Sequence, residues 1–119
     1  MAKVDSLDFG SIVVDGKPYA YDVLLLPDGT VREREADKAM FGNHTIKRNE
    51  IEPLVKAKPE TIVVGTGTSG LARVSADAEG YAREANLNLV VLPSSEAIKK
   101  FNQLVDEGRS VAALIHITC

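Results

Sequence analysis

The sequence predicts an α/β domain in which an amino-terminal β-meander precedes a βαβαβ half. Three observations predict this fold class. Residues 61–64 form a short apolar run rich in β-branched side chains between Pro59 and Gly65, which is typical of a central strand buried on both faces. After this run, helical and strand patterns alternate, as they do in parallel or mixed sheets with right-handed crossovers. Before it, turn signals separate short apolar runs, as in antiparallel strands.

The size and composition indicate one domain over residues 1–119. The chain has 45% hydrophobic and 26% charged residues, which is typical of globular domains. Fourteen basic and seventeen acidic residues give a net charge of −3, so we expect no nucleic-acid and no membrane partner. No signal sequence is recognisable, and no apolar run approaches the roughly 18 residues of a membrane span. Because the chain has a single cysteine, we expect a cytoplasmic protein.

Two turn signals divide the first 30 residues into predicted strands. Asp15-Gly16 lies between apolar runs at residues 12–14 and 19–26 and is typical of a type I′ hairpin. The Leu-Pro-Asp-Gly sequence at residues 26–29 predicts a second turn, because proline presets φ and glycine takes the left-handed position. The meander of the predicted fold rests on these two turns.

Residues 30–35 are predicted to form a third strand at a sheet edge. Arg32 and Arg34 alternate with acidic side chains, so little of this strand can face a core. We interpret both arginines as solvated; the alternative is that their shared face holds a carboxylate or phosphate. Residues 36–47 have no regular period and are expected to form an irregular connection.

Capping signals predict the first two helices. Asn49 and Glu52 are the predicted capping pair of a short helix that ends at Lys56. Pro53 is tolerable only in the first turn of that helix. Ser75 is the predicted N-cap of the second helix, which follows the glycine-rich loop.

The third helix has the clearest amphipathic pattern in the chain. Ser94 or Ser95 is its predicted N-cap, and Gly108 ends it. It lies between predicted strands at residues 87–92 and 111–117. We expect one core between the sheet and this helix, containing Val63, Ile98, Phe101, Leu104 and Leu114.

Several short motifs occur together across nearly the whole chain: Val64-Gly65-Thr66-Gly67, Leu92-Pro93 with Glu96-Ala97, Phe101-Asn102-Gln103-Leu104, Gly108-Arg109, and His116-Ile117-Thr118-Cys119. In this combination and spacing they resemble a small uncharacterised domain family that includes the adipogenesis-associated domain protein and a mitochondrial complex I assembly factor. The resemblance implies a three-layer α/β domain with a mixed central sheet. It brings no established catalysis, and the assembly-factor member acts through partners.

The loop at residues 65–70 matches G-x-G-x-x-G. A dinucleotide site is disfavoured, because residues 71–74 separate the loop from the next helix and the following strand does not end in an acidic residue. A P-loop is excluded, since no Lys-Ser or Lys-Thr follows. The loop amides, with the hydroxyls of Thr66, Thr68 and Ser69, could bind a small anion. The favoured interpretation is a tight strand-to-helix turn.

His44, His116 and Cys119 are the only imidazole and thiol side chains in the chain. Any Cys–His pair or soft-metal site would have to use them. The spacing of His116 and Cys119 is too short for a zinc motif, so no metal site is predicted. One interpretation is a thiolate activated by either histidine, and the favoured one is a histidine that caps the last strand.

The place of a site depends on strand order. We expect residues 61–64 to form the central strand, flanked by residues 87–92 and 111–117, with a crevice at the carboxyl ends of the strands. A parallel last strand would bring its end to the glycine loop, whereas an antiparallel one would carry it about 17 Å away. The candidate ligand-binding residues are therefore Gly65, Thr66, Gly67, Thr68, Ser69, His116, Thr118, Cys119 and His44.

The predicted function is a non-catalytic binding or assembly module that engages a protein partner. Its contact would be a partly apolar surface or the segment that holds Tyr19 and Tyr21. This prediction rests on the lack of a complete acid–base or nucleophile set in the sequence. The alternative is a small-molecule or anion-binding enzyme with its site at residues 65–70 and 116–119. The sequence identifies no cofactor.

Overall fold

The computed structural model describes residues 2–35 and 44–119. Within these residues the chain forms ten strands and three helices. The strands are β1 Val4–Asp8, β2 Ser11–Val14, β3 Lys17–Tyr19, β4 Val23–Leu25, β5 Val31–Glu33, β6 Thr45–Ile46, β7 Thr61–Thr66, β8 Arg73–Val74, β9 Asn88–Leu92 and β10 Val111–His116. The helices are α1 Arg48–Lys56, α2 Ala76–Glu84 and α3 Ser94–Asp106.

A mixed five-stranded sheet forms the centre of the fold, in the order β5-β4-β10-β7-β9. Strands β10, β7 and β9 are parallel, whereas β4 and β5 join antiparallel on the side of β10. All six residues of β7 are buried, because helices cover both faces of the sheet there. The predicted mixed sheet is confirmed, and so are the predicted neighbours of residues 61–64, since β7 lies between β10 and β9. The prediction that residues 61–64 form the central strand is wrong, because β4 and β5 extend the sheet beyond β10 and make β10 its middle strand.

Helices cover both faces of this sheet, which gives three layers. Helix α3 packs with Val63 and Ile115 on one face, and α1 and α2 pack on the other face. The prediction that Leu114 shares the α3 core is wrong. Side chains alternate along β10, so Ala113 and Ile115 face α3 while Leu114 packs against α1 and α2. Phe101, as predicted, lies in the α3 core.

The amino-terminal strands form a second, three-stranded antiparallel sheet in the order β1-β2-β3. The predicted hairpin turn is confirmed, since Asp15 and Gly16 have φ values of 50° and 78°. The prediction of one strand over residues 19–26 is wrong. Strand β3 of the small sheet ends at Tyr19, and the next strand, β4, begins at Val23 and belongs to the central sheet. The sequence pattern also missed β1.

Strand β5 lies at an edge of the central sheet, as predicted, but the interpretation of Arg34 as solvated is wrong. The strand ends at Glu33, so the alternation does not extend to the next residue. Arg34 is 3% exposed and lies between the carboxylates of Asp22 and Glu50. Arg32 is exposed, as expected.

Helix α1 begins earlier than the predicted capping pair implies. Its N-cap is Lys47, whose amide donates a hydrogen bond of 2.7 Å to Oε2 of Glu50. Glu50 therefore takes the capping role predicted for Glu52, and Pro53 lies in the second turn rather than the first. Of the predicted irregular connection, residues 36–43 lie outside the described residues. Residues 45–46 form β6, which pairs in parallel with β8.

The other helix ends follow local chemistry. Ser75 caps α2, because its Oγ accepts from the amide of Ala78 at 3.1 Å. Gly108, at φ 73°, follows the end of α3. Its amide bonds to the Val105 carbonyl, while the amide of Arg109 bonds to that of Leu104, which is a Schellman motif. The predicted stop at Gly108 is confirmed.

Candidate functional site

The glycine loop lies against residues 117–119, because β7 and β10 are parallel and His116 is in register with Thr66. The amide of Thr68 donates to the Thr118 carbonyl at 2.7 Å, and the amide of Leu71 donates to that of Cys119 at 2.9 Å. We call residues 117–119 the tail segment. The loop and the tail segment thus form one hydrogen-bonded unit at the carboxyl edge of the sheet.

Two glycines allow this close approach. Gly67 has φ 109°, and a Cβ there would collide with the backbone of Thr118 and Cys119. Gly65 has no unusual φ, but a Cβ there would lie 2.7 Å from the Ser94 hydroxyl. The glycines are therefore required by packing against the tail segment and α3.

Ser94 joins the loop, α3 and β10. The prediction that Ser94 or Ser95 is the N-cap of α3 is wrong, because α3 begins with Ser94 and its N-cap is Pro93. The Ser94 hydroxyl instead accepts from the amide of Gly67 at 2.8 Å and donates to the His116 carbonyl at 2.5 Å. Because this side chain is fully buried, the link is shielded from water.

Two of the three loop hydroxyls form hydrogen bonds with backbone carbonyls of the protein itself. Thr66 Oγ1 donates to the Leu92 carbonyl at 3.1 Å, and Thr68 Oγ1 donates to the Thr118 carbonyl at 3.2 Å. Ser69 is exposed at the tip of the loop. An anion that used the amides of Thr68 and Leu71 would therefore have to replace the tail segment. These contacts favour the interpretation of the loop as a tight turn.

Cys119 lies beside an imidazole from a distant part of the chain. Its Sγ is 3.4 Å from Nε2 of His44, and the thiol-bearing residue is half-buried. The His44 ring meets the His116 ring edge to face, with centroids 6.1 Å apart. Nε2 of His116 is in turn 3.2 Å from Oγ1 of Thr118. All three predicted soft side chains are thus close together.

His116 also belongs to a buried network of charged side chains. Nδ1 of His116 lies 2.7 Å from Oδ2 of Asp22, which also accepts from Nη1 of Arg34 at 2.7 Å. Nε of Arg34 donates to Oε1 of Glu50 at 2.5 Å. The other carboxylate oxygen of Asp22 accepts from the amide of Ile117 at 2.8 Å. The network therefore fixes His116 and the start of the tail segment.

Asp22 is the titratable centre of this network. Burial by itself raises its pKa, but the bonds to the His116 ring and the Ile117 amide, attraction to His116 and the bond from Arg34 outweigh it. The pKa of Asp22 therefore lies below the ordinary value of 3.8. Sequence reasoning missed Asp22 and Glu50, and a lone acidic residue within an apolar run was the only signal for Asp22.

A second surface lies at the free edge of the sheet. The Asn88 amide donates to Glu60 and the Leu92 carbonyl accepts from Thr66, so these residues face the interior side of β9. The intervening Leu89 and Val91 direct their backbone amides and carbonyls outward. Within residues 2–35 and 44–119, no strand pairs with that side of β9.

A groove follows this edge between β9 and α3, with a volume of about 470 Å³. Val91 is 41% exposed at the same edge. The residues that line the groove are Thr61, Asn88, Leu89, Val90, Lys100, Leu104, Glu107 and Arg109.

Neither a metal cluster nor a membrane-spanning helix occurs in the described part of the chain. There, no three side chains among histidine, cysteine, aspartate and glutamate form a group that could hold a metal ion. None of α1, α2 and α3 is both long and apolar enough to cross a membrane.

The fold and sequence are similar to those of several solved structures. One named MT938 is 31% identical with a TM-score of 0.85, and the match covers 100% of both chains. A conserved hypothetical protein from Pyrococcus horikoshii is 24% identical with a TM-score of 0.88, over 98% of this chain and 99% of that one. A Mth938-like domain from Bordetella pertussis is 17% identical with a TM-score of 0.65, over 97% and 85% of the chains. The last two likenesses concern the fold alone.

A family model supplies the identity of the domain. The model described as Protein of unknown function (DUF498/DUF598) matches residues 4–116, which include the central sheet, all three helices and the glycine loop. Because the match extends over nearly the whole sequence, the chain belongs to the DUF498/DUF598 family of proteins of unknown function.

Proposed function

We propose that this protein is a non-catalytic binding module that takes up an extended segment of a partner protein as an added strand beside β9. The observation that carries the proposal is the open edge of β9. Its sequence, Asn-Leu-Val-Val-Leu, has no charge and no proline, although edge strands commonly carry such residues to prevent pairing. The opposite edge strand, β5, has both an arginine and a glutamate. The two edges of the sheet thus differ in the way that a docking edge and a protected edge would differ.

The groove beside β9 indicates the chemistry of the bound segment. An added strand would bond to the outward amides and carbonyls of Leu89 and Val91, and its alternate side chains would enter the groove. Lys100 is half-buried there and forms no ion pair with any described residue. Arg109 also lines the groove but is paired with Glu60 at 3.4 Å, and Glu107 is the acidic side chain of the lining, so Lys100 is the cation available to a bound segment. We therefore propose a partner segment that carries an acidic side chain opposite Lys100.

Strand addition also suits the assembly role that the family resemblance suggests, since main-chain pairing joins two proteins without a catalytic group. We propose a cytoplasmic setting, because a chain with one cysteine suits a reducing compartment. A contact through Tyr19 and Tyr21 is less well supported, because these rings pack on each other with centroids 5.7 Å apart. A small anion at residues 65–70 is also less well supported, because the loop amides bind the tail segment.

The test is selection of bound peptides from a displayed library of random peptides about eight residues long. We expect the selected peptides to be extended and to carry an acidic residue, and to perturb the NMR amide signals of Leu89 and Val91. Val91→Pro removes an outward amide without removing a bond to β7, so it should abolish binding. Val91→Thr keeps that amide and is the matched control.

A second pair of variants tests the charge. Lys100→Glu should weaken binding of the acidic peptides by about tenfold or more, whereas the same change at the exposed Lys99 should have little effect. Peptides that bind Val91→Pro as tightly as the unaltered protein would overturn strand addition. A dimer that dissociates in Val91→Pro would mean that the edge takes a second copy of this chain instead.

A further inference from the structure

We infer that Cys119 and His44 form a reactive site for small-molecule disulfides, in which the thiol becomes one half of a mixed disulfide and the imidazole moves the proton. This inference is independent of the binding function proposed for β9, because the pair lies at the carboxyl edge of the sheet rather than at its free edge. It is carried by the separation of 3.4 Å between Sγ of Cys119 and Nε2 of His44. A nucleophile and a base within hydrogen-bond reach are the first requirement of such a site.

The two side chains are held in place from opposite directions. On the thiol side, the Cys119 carbonyl accepts from the Leu71 amide at 2.9 Å, and its backbone packs on Gly67. On the imidazole side, the His44 ring packs edge to face on His116, which is fixed by Asp22. The titratable and charged side chains linked to the pair through the His44 ring are therefore His116, Asp22, Arg34 and Glu50.

The reaction balances as a thiol–disulfide exchange. The Cys119 thiol gives its proton to Nε2 of His44 as its sulfur attacks one sulfur of the small disulfide. The bond between the two sulfurs of the small molecule breaks and a new sulfur–sulfur bond forms to Cys119. The departing thiolate then takes the proton from His44. Cys119 is thereby oxidised, half of the small molecule is reduced, and no further oxidant is needed.

The geometry favours disulfides over acyl compounds as substrates. Attack on a carbonyl would need amides directed at a developing oxyanion. The nearby amides of Gly67, Thr68 and Leu71 are instead bonded to Ser94 and the tail segment. In exchange with a disulfide, the charge develops on sulfur, and a base is sufficient. Because the chain has a single cysteine, no second thiol of the same chain can release the adduct, so it would persist until an external thiol attacks.

The experiment uses the full chain, with 2,2′-dithiodipyridine as the rate probe and glutathione disulfide as the preparative one. Released thiopyridone gives the rate, and mass spectrometry gives the adduct. We expect one adduct per chain, none in Cys119→Ser, and a rate above that of the same chain unfolded in urea. At roughly pH 6.5, His44→Gln should react at least about tenfold more slowly. Thr45→Ser, the exposed neighbour, is the matched control and should be unchanged.

The pH profile separates proton transfer from a merely structural role of His44. In alkaline solution hydroxide removes the thiol proton without help from a histidine, so the rates of the native protein and of His44→Gln should converge at high pH. Circular dichroism and the urea midpoint establish that the variant is folded. Equal rates at all pH values, or a constant ratio across the profile, would overturn the inference. A native rate no greater than the unfolded rate would overturn it as well.

Discussion

At the scale of single residues, the carboxyl edge of the sheet is packed so closely that one position, Gly67, has no room for a side chain. Gly67 combines a left-handed backbone with direct packing on Cys119 and Thr118. The side-chain oxygens of Ser94 bind the glycine loop and β10, and those of Asp22 bind β10 and the tail segment. Small changes here should therefore have large effects on stability.

Gly67→Ala should lower the free energy of unfolding by about 1–3 kcal/mol, because alanine at φ 109° is strained and its Cβ displaces the tail segment. Urea denaturation measures this loss. Gly80→Ala is the matched control: a Cβ there meets nothing within 4 Å in the middle of α2, so it should gain about 0.5–1 kcal/mol. A Gly67→Ala protein as stable as the parent would contradict the assigned packing.

Asp22 should make the free energy of unfolding depend on pH in the acid range. Because its pKa is lower in the folded state than in the unfolded state, its contribution is complete above the unfolded value of about 3.8. This contribution is lost as the pH falls through the folded pKa. Urea denaturation between about pH 5 and pH 2.5 should therefore show a steeper loss of stability for the native protein than for Asp22→Asn. Parallel curves would mean that Asp22 contributes no such linkage.

These residues also mark what sequence reasoning could and could not reach. The two neighbours of β7 followed from apolar runs, which report burial directly. The direction of the last strand did not follow from them, so the sequence left open whether the tail segment would meet the glycine loop, and the parallel pairing of β10 with β7 decides that it does. Asp22 was missed because its partner, Ile117, is 95 positions away. Arg34 was misinterpreted for the same reason, since alternation along a strand cannot reveal an ion pair with a residue of a later helix.

At the scale of elements, α3 buries more residues than either of the other two described helices. It buries Ala97, Ile98, Phe101 and Leu104 against β7 and β10. Its periodicity predicted that contact, because one helix face is apolar and the other is charged. The strands were harder, since an uninterrupted apolar run such as β10 has no alternation from which to assign Leu114 to a face.

Phe101→Ala should lower the free energy of unfolding by about 3–5 kcal/mol, since the ring is 1% exposed and its removal leaves a cavity. Gln103→Ala, at an exposed position of the same helix, should change it by less than about 0.5 kcal/mol. Thermal and urea denaturation of both variants check the prediction. Equal midpoints for the two would contradict the assigned core.

At the scale of the whole molecule, the buried charges join parts of the chain that are otherwise separate. Arg34 follows the edge strand β5, Glu50 belongs to α1, and Asp22 precedes β4. The network thus connects the antiparallel side of the sheet to a helix on one face and to β10. This network favours one arrangement of these elements, because any arrangement that separated the partners would leave a buried charge without compensation.

Arg34→Met should therefore destabilise the protein by about 3–5 kcal/mol, because Glu50 would remain buried without its partner. The double variant Arg34→Met with Glu50→Met should recover part of that loss, since no charge is then stranded at this position. Denaturation of the two single variants and the double variant gives the coupling energy. Additive losses would mean that the two side chains do not act as a pair.

The position of β10 has a consequence for the order in which this protein can be built. The strand lies between β4 and β7, yet it follows both of them in the chain. During translation, β4 is therefore synthesised long before β10, the strand that pairs with its edge. All three residues of β4 are buried in the folded protein. During synthesis, Val23–Leu25 is an exposed apolar segment that a chaperone can hold or that a neighbouring nascent chain can capture. The central sheet can be completed only after β10 has been synthesised, because this strand joins β4 to β7.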